Sequence, residues 1–284
     1  MTSRERKLYW NKERNKTNRY VEIYKAKFYN ALMSDVKKFE NALLTHGFQG
    51  GRSFAHSHIM SEPLTRVMYE LVSTIGVRYA RDNYQSLRKE KGMGKSIDWV
   101  KRILNYLGQH FYDKGIFQIV KTTRQIFLDV LNNSINNGWG INETVKNIRE
   151  TIPEINKVRA EVIARTELNR AIHSGTFVGA DASPYEKEKI WISAKDSRTR
   201  RNPDNKPKLA DHIQLDGQTV DFNNDFIDHT NNHKLAHPGD PKGAAVDVIN
   251  CRCTFAVKNK RGSDGRLVRK PNFYEIINDP NYVI

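Results

Sequence analysis

Residues 250–257 read NCRCTFAV, and this stretch contains the two cysteines of the 284-residue chain. The apolar and β-branched residues after the second cysteine predict a strand over 252–258. Successive side chains of an extended chain alternate between two faces, so we expect Cys251, Cys253 and Phe255 to share one face. Two cysteines spaced in this way do not readily bridge each other, which excludes a fold built on a disulfide framework.

Two further strands are predicted upstream, at 189–194 and 219–222, where apolar and β-branched residues cluster. The polar segments 197–211 and 223–248 join the strands and are rich in Asn, Asp, Pro, Gly and His. Loops of that length without helices of their own usually carry function or contact a partner.

The first 180 residues follow a different pattern, because apolar residues recur there every three or four positions. This period predicts a series of helices. The first predicted helix runs from Val21 to the glycines at 47, 50 and 51, and two more begin near Ser61 and Ser96. A fourth runs from about Ile116 to Gly138. The last two span 142–151, with a stop at Pro153, and about 155–178.

These patterns together predict an α+β protein with two regions. Residues 1–183 form a helix-rich region, and residues 184–284 form a small α+β domain with a short sheet, long loops and a basic tail. No apolar run reaches the roughly 18–20 residues that cross a bilayer, and no signal peptide is visible. We therefore expect no membrane association, and we expect the protein to be synthesised in a cytoplasm.

The net charge is +15 and the sequence pI is about 9.7. Basic residues concentrate at 1–30, at 195–208 and at 258–270. Such clusters suit double-stranded DNA or another polyanion, whereas the simpler interpretation is a solubilising surface. For sequence-independent DNA binding the sequence indicates four positions in the last cluster: Lys260, Arg261, Arg266 and Arg269.

The two cysteines admit two interpretations. Thiolates together with an imidazole from His212, His229, His233 or His237 are suitable zinc ligands, and His212, Cys251 and Cys253 are the set considered. Structural zinc sites, however, usually place two to four residues between paired cysteines and use four ligands. We therefore favour a pair of small apolar side chains packed in the core, with no metal and no other cofactor.

The cluster of Asp196, Arg198, Arg200 and His212 also admits two interpretations. These residues can act as an acid/base and phosphate-binding set, as in a nuclease or an ADP-ribosyl-type transferase toxin. The alternative is a hydrogen-bonded network that holds the loops on the sheet. We favour the network and a protein that is not an enzyme, because no nucleophile–base order or paired carboxylates accompany the cluster.

Taken in order along the chain, these features resemble the phage Mu protein F-like minor head proteins, also called phage head morphogenesis proteins. The resemblance spans roughly residues 115–257. The residues that correspond to the family motifs are Arg165, Glu167, Trp191, Asp196, Arg198, Arg200, His212, Gly217, Asn250, Cys251, Arg252 and Cys253. One departure is the segment 202–210, which looks like an insertion between the Asp196 cluster and His212.

The resemblance implies a minor capsid protein of a tailed double-stranded DNA phage or prophage. Its expected partners are the portal protein, capsid and scaffold proteins and, non-specifically, packaged DNA. Its expected location is the virion, at the capsid interior or the portal vertex, after assembly in the host cytoplasm. The helix-rich region, residues 1–183, is expected to dock on the portal.

Overall fold

The computed structural model describes residues 1–57, 62–88 and 97–274. The helices in these ranges are α1 (Ser3–Ser57), α2 (Glu62–Leu71), α3 (Val77–Arg88), α4 (Trp99–Leu107), α5 (Phe117–Asn136), α6 (Ile141–Asp181) and α7 (Ala245–Val248). The strands are β1 (Lys187–Ile192), β2 (Thr219–Asp221), β3 (Phe226–Asp228), β4 (His233–Leu235) and β5 (Thr254–Asn259). The predicted α+β class is confirmed.

The strands form two antiparallel sheets. The larger sheet has the order β2-β1-β5, so that Trp191 of β1 lies opposite Phe255 of β5. The smaller sheet is a hairpin of β3 and β4, with Phe226 opposite Leu235. The hairpin lies in the segment 223–248 that the sequence predicted to be a loop, because its strands have three residues each and show no clear alternation.

The chain divides into two compact units. We call residues 1–20, 70–108 and 165–284 the sheet unit, and residues 21–69 and 109–164 the helical unit. The boundary predicted near residue 183 falls inside the sheet unit, where α6 gives way to β1.

The helical unit is built around one apolar core, in which the rings of Phe39 and Phe127 stack with centroids 4.2 Å apart. Helix α1 is interrupted at Gly47, whose φ is +61°, and then resumes to Ser57. The predicted helix does end at its glycines, since the backbone is non-helical at His46 and Gly47. A second helical segment then runs to Ser57, and its Phe54 joins the same core. Gly51 serves close packing, since a Cβ there would lie 2.7 Å from Leu43 Cδ2.

Helix α6 runs through Pro153, where the sequence predicted an end. A proline inside a helix removes one hydrogen bond and costs about 3 kcal/mol. Ile148 and Ile152, on the turn before Pro153, are fully buried in the core of the helical unit. Burial of two such side chains contributes about 3–6 kcal/mol, which offsets the cost of the proline.

Two predicted helix starts, at Ser61 and Ser96, lie outside the described residues. Helix α4 is capped by Asp98, whose carboxylate accepts a hydrogen bond from the backbone N–H of Lys101 at 3.0 Å. Among the helices of the described ranges, none has the length and apolar character required to cross a membrane.

Candidate functional site

The side chains of His212, Cys251 and Cys253 meet in the interior of the sheet unit. His212 Nδ1 lies 3.5 Å from Cys251 Sγ and 3.6 Å from Cys253 Sγ. All three residues are buried, with no more than 2% of their surface exposed. The expectation that the two cysteines face the same way agrees with this arrangement.

The backbone fixes His212 between two neighbouring segments. Its N–H donates to the carbonyl oxygen of Arg200 at 3.1 Å, and its own carbonyl accepts from the hydroxyl of Ser193. The preceding Asp211 closes a turn, because its carboxylate accepts from the backbone N–H groups of Ile213 and Gln214. The imidazole is thereby directed toward the cysteines.

Electrostatics distinguishes the two thiols. Burial raises the pKa of the Cys253 thiol well above its usual value. The hydrogen bond from Cys253 lowers the pKa of the Cys251 thiol well below its usual value, with a further contribution from His212. Cys251 is therefore the sulfur that carries negative charge more readily.

Trp191 closes the other side of this cluster. Its ring is completely buried and meets the His212 ring edge to face, with centroids 5.3 Å apart. One buried nitrogen, His212 Nε2, has no hydrogen-bond partner among the described residues, whereas the N–H of Trp191 interacts with the Cys253 sulfur. Buried polar atoms of this kind are rare in folded proteins and call for a physical explanation.

Asn250 connects the cysteine segment to α6. Its backbone has φ = +57°, a left-handed conformation that Asn tolerates better than most residues. Its N–H donates to Thr166 Oγ1 at 2.8 Å, and its side-chain oxygen accepts from Arg165 at 2.8 Å. Two motifs that lie 85 residues apart in the chain are thus in direct contact.

The next turn of α6 buries an ion pair. Arg170 donates to the carboxylate of Glu167 at 2.6 Å, and both side chains are about 95% shielded from solvent. Burial raises the pKa of Glu167, while Arg170 opposes this shift.

The structure directs Asp196 and His212 to different partners. Asp196 Oδ1 accepts from Arg252 at 2.8 Å and from the Thr199 hydroxyl at 3.1 Å. Arg200 donates to the carbonyl oxygen of Ile249, and the Arg198 side chain is exposed. These contacts link the loops to the cysteine segment, and no hydrogen bond joins Asp196 to the His212 imidazole among the described residues.

The segment 202–210, which the sequence marked as an insertion, is a compact turn. Asn202 is fully buried, and its side-chain amide donates to the carbonyl oxygens of Lys206 and Leu209. The turn keeps Arg200 beside His212 despite the extra residues.

Comparison with known proteins identifies the family of this region. Residues 125–256 match the family model described as phage Mu protein F like protein. We call this segment the Mu F-like domain, after the family that it matches. The resemblance inferred from the sequence is confirmed there, and the matched residues include Arg165, His212 and both cysteines.

Two curated relatives are similar to parts of the chain. The uncharacterized protein YqbB of Bacillus subtilis (strain 168) is 26% identical over 163 residues, which are 57% of this chain and 48% of the relative. The uncharacterized protein MJ0329 of Methanocaldococcus jannaschii is 29% identical over 104 residues, 36% of this chain and 16% of the relative. The chain thus spans about half or less of the length of these relatives. No solved structure matches it significantly.

The start of α1 packs on the Mu F-like domain, although it lies far outside the matched residues. Arg6 donates to Asp216 at 2.8 Å, and Trp10 Nε1 donates to the carbonyl oxygen of Arg252 at 2.9 Å. Arg14 lies 4.0 Å from Asp196. Sequence reasoning missed this contact, although Arg6, Trp10 and Arg14 recur every four residues on one helix face.

Gly217, one of the residues that correspond to the family motifs, contacts the start of α1. Its φ is +85°, and its N–H donates to the carbonyl oxygen of Trp191 at 2.9 Å. A Cβ at this position would lie 3.0 Å from the guanidinium carbon of Arg6. A glycine is thus required both by the turn and by the approach of the first helix.

A second buried group in the Mu F-like domain contains two histidines that sequence reasoning did not place. His173 and His237 each donate from Nδ1 to the carbonyl oxygen of Pro238, at 2.8 and 3.0 Å. Thr254 and Tyr106 supply hydroxyl groups to the two Nε2 atoms. The site therefore holds both imidazoles neutral.

The other histidines considered as metal ligands are also placed elsewhere. His233 Nδ1 lies 2.7 Å from Asp247, and His229 is exposed. Of the four histidines that the sequence offered, His212 alone joins the cysteines within the described ranges of the chain.

The basic cluster at residues 258–270, which we call the basic tail, follows the Mu F-like domain in the chain. Lys260 pairs with Asp221 at 2.5 Å, and Arg269 stacks on Phe273 at 4.4 Å from the ring centre. Arg261 donates to the carbonyl oxygen of Gly265, and Arg266 lies 3.8 Å from Asp264. A groove of about 760 Å³ has Lys258, Lys260 and Arg261 among its lining residues.

Proposed function

We propose that this protein is a minor head protein that takes part in the head assembly of a tailed double-stranded DNA phage or prophage. The observation that carries the proposal is the phage Mu protein F-like match over residues 125–256. The family suggests a structural role associated with the virion. The separation of Asp196 from the His212 imidazole adds support, because it removes the orienting contact of the enzymatic alternative.

The proposed partner of the helix-rich region is the portal protein of the same phage or prophage. Exposed apolar side chains on the helical unit offer contact surface, and two of them, Ile155 and Val158, lie three residues apart on α6. Val158 is 68% exposed and Ile155 is 42% exposed.

Co-purification with the portal protein tests this portal contact. The full chain should be retained by the tagged portal, and the double substitution Ile155→Asp and Val158→Asp should reduce retention. The matched control places aspartates at Leu209 and Ile249, which are exposed apolar residues of the sheet unit. Absence of the wild-type chain from both the portal complex and assembled heads would contradict the proposed function.

The proposed contact with DNA uses the basic tail. Its side chains meet phosphates without reading bases, so binding should weaken steeply with salt. Replacing Lys260, Arg261, Arg266 and Arg269 with glutamine should lower the slope of log affinity against log salt by up to about 4.

A matched control removes the same charge elsewhere. Four exposed lysines of the helical unit serve this purpose: Lys37, Lys38, Lys121 and Lys146. Filter binding over a salt series compares the two variants. Equal losses would contradict a specific role of the tail and would indicate that DNA responds to overall charge.

A further inference from the structure

The cluster of His212, Cys251 and Cys253 has the donor atoms and the spacing of a metal site. We propose that His212 Nδ1, Cys251 Sγ and Cys253 Sγ bind one zinc ion, which stabilises the Mu F-like domain. Thiolate and imidazole are the donors that zinc prefers in proteins. Taken alone, the sequence favoured core packing, because the cysteine spacing and the number of ligands are unusual for a structural zinc site. The folded chain brings His212 to the sulfurs.

The distances carry the first argument. Zinc binds sulfur at about 2.3 Å and imidazole nitrogen at about 2.0–2.1 Å, so tetrahedral geometry places the S and N donors about 3.6 Å apart. The two observed separations from His212 Nδ1 are 3.5 and 3.6 Å. All three donor atoms lie within 4.8 Å of one another, so one ion can reach them together.

Hydrogen bonds account for this arrangement only as a chain. A neutral imidazole nitrogen has one lone pair, so Nδ1 accepts from one thiol, and Cys253 donates to Cys251. A zinc ion uses that lone pair and a lone pair from each sulfur at the same time. Two thiolates also neutralise its charge of +2, which suits a site with 2% or less exposure.

The described residues supply three donors, since no further His, Cys, Asp or Glu joins the group. Two cysteines and one histidine with water in the fourth position form a zinc coordination set that is known from catalytic sites, whereas structural sites usually have four protein ligands. The buried N–H of Trp191, which interacts with the Cys253 sulfur, lies beside this cluster and is available to a metal-bound thiolate.

A zinc ion here would join distant segments of the chain. His212 lies 39 residues before Cys251 and 41 before Cys253, in the polar loop region between β1 and β2. Binding in the folded state alone would add its free energy to folding. The ion therefore has a structural role that does not depend on whether the proposed head function is correct.

The metal content of the full-length chain tests the proposal directly. The protein should be produced without a polyhistidine tag, purified under reducing conditions and measured by inductively coupled plasma mass spectrometry. We expect one zinc per chain. Replacement with cobalt should give intense tetrahedral d–d absorption and a near-ultraviolet thiolate-to-cobalt charge-transfer band, which reports sulfur ligation in the unmodified protein.

Variants then locate the ligands. Cys251→Ser, Cys253→Ser and His212→Gln should each lose zinc, and each should lower the melting temperature. Leu215→Ala removes volume from the same core cluster without removing a donor, and His233→Gln removes a histidine outside it. Both controls should keep stoichiometric zinc, which separates ligand loss from general destabilisation.

If the ligand variants do not fold, the cobalt spectrum of the wild-type chain still decides the question. Failure of the reduced, folded wild-type protein to take up zinc or cobalt would overturn the proposal. It would also be overturned by a melting temperature that does not respond to a chelator and by zinc retained equally in Cys251→Ser and Leu215→Ala. None of these results depends on portal binding. The zinc proposal can therefore be wrong while the proposed head function is right, and the reverse.

Discussion

A Cβ atom on Gly175 of α6 would lie 2.2 Å from the carbonyl oxygen of Gly76. One turn further along α6, a Cβ on Gly179 would lie 2.1 Å from the carbonyl oxygen of Ala80. The backbones therefore touch at two positions spaced by four residues on both segments. This contact holds the C-terminal half of α6, which carries Arg165 and His173, against α3 within the sheet unit.

The first prediction concerns this contact. Gly175→Ala should destabilise the protein by about 1–3 kcal/mol or more, because backbone atoms rather than a flexible side chain must move. Ser174→Ala is the matched control, since its buried hydroxyl has no partner among the described residues and its loss should cost little. Chemical denaturation measures both. Equal stability of the two variants would contradict the close approach.

The second prediction concerns the contact between α6 and the cysteine segment. Arg165→Ala should lower the free energy of unfolding by about 1.5–3 kcal/mol, because it removes a charged hydrogen bond to Asn250. Arg198→Ala removes an exposed guanidinium and should change stability by no more than about 0.5 kcal/mol. The denaturant concentration at the unfolding midpoint is compared between the two variants. An unchanged midpoint in Arg165→Ala would contradict a structural role for this family position.

The positions of the helices could be predicted where local residue spacing determines them. The prediction of a helix end was wrong where contacts between distant residues determine it. The 3–4 periodicity located α5 and the part of α1 from Val21 to the break at His46 and Gly47. The second helical segment after Gly47 and the passage of α6 through Pro153 depend on burial of Phe54 and Ile152 in a core whose other members lie far away in sequence. No local pattern contains that information.

The candidate site was predictable to a similar degree. Strand alternation placed Cys251 and Cys253 on one side, and His212 was the histidine considered with them, but no local pattern shows that its imidazole reaches the sulfurs. His212 is selected by its backbone bond to Arg200 and by the turn at Asp211, which are features of the folded loops. The contact of Trp10 with Arg252 spans 242 residues and was equally invisible.

The third prediction concerns the first helix. Trp10→Ala should cost about 3–5 kcal/mol, the usual range for a buried tryptophan, and should expose the Mu F-like domain to proteolysis. Leu8→Ala is the control, because Leu8 is 61% exposed on the same helix. Limited proteolysis followed by mass spectrometry locates the new cleavage sites. Unchanged protection in Trp10→Ala would contradict the packing of α1 on the domain.

The fourth prediction concerns pH and follows from His173. Burial lowers the pKa of His173 from an ordinary 6.5 to about 3, and the neighbouring His237 adds to this shift. The hydrogen bonds agree with the direction: Nδ1–H donates to Pro238, so Nε2 must remain unprotonated to accept from Thr254. Protonation would cost that acceptor and place a charge in the interior.

The sign follows from proton binding. Below pH 6.5 the unfolded chain protonates this histidine while the folded chain does not, so unfolding takes up a proton. The stability that His173 contributes is therefore complete above pH 6.5 and is lost progressively as the pH falls toward 3. His237 adds a second proton to the same slope, because burial lowers its pKa to about 4, while Asp240 opposes the shift and Lys189 and Arg170 reinforce it.

Urea denaturation between pH 7 and pH 4 measures this slope. The wild-type chain should lose up to about 1.4 kcal/mol per pH unit for each of the two histidines. His173→Gln should be less stable at pH 7 but should show a shallower acid slope, because one titrating group is gone. His56→Gln, at an exposed position of α1, should leave the slope unchanged. A slope in His173→Gln as steep as in the wild type would assign the acid sensitivity to other groups. If the imidazole signal that disappears in His173→Gln titrates near pH 6.5 in the folded wild type, His173 is not held neutral.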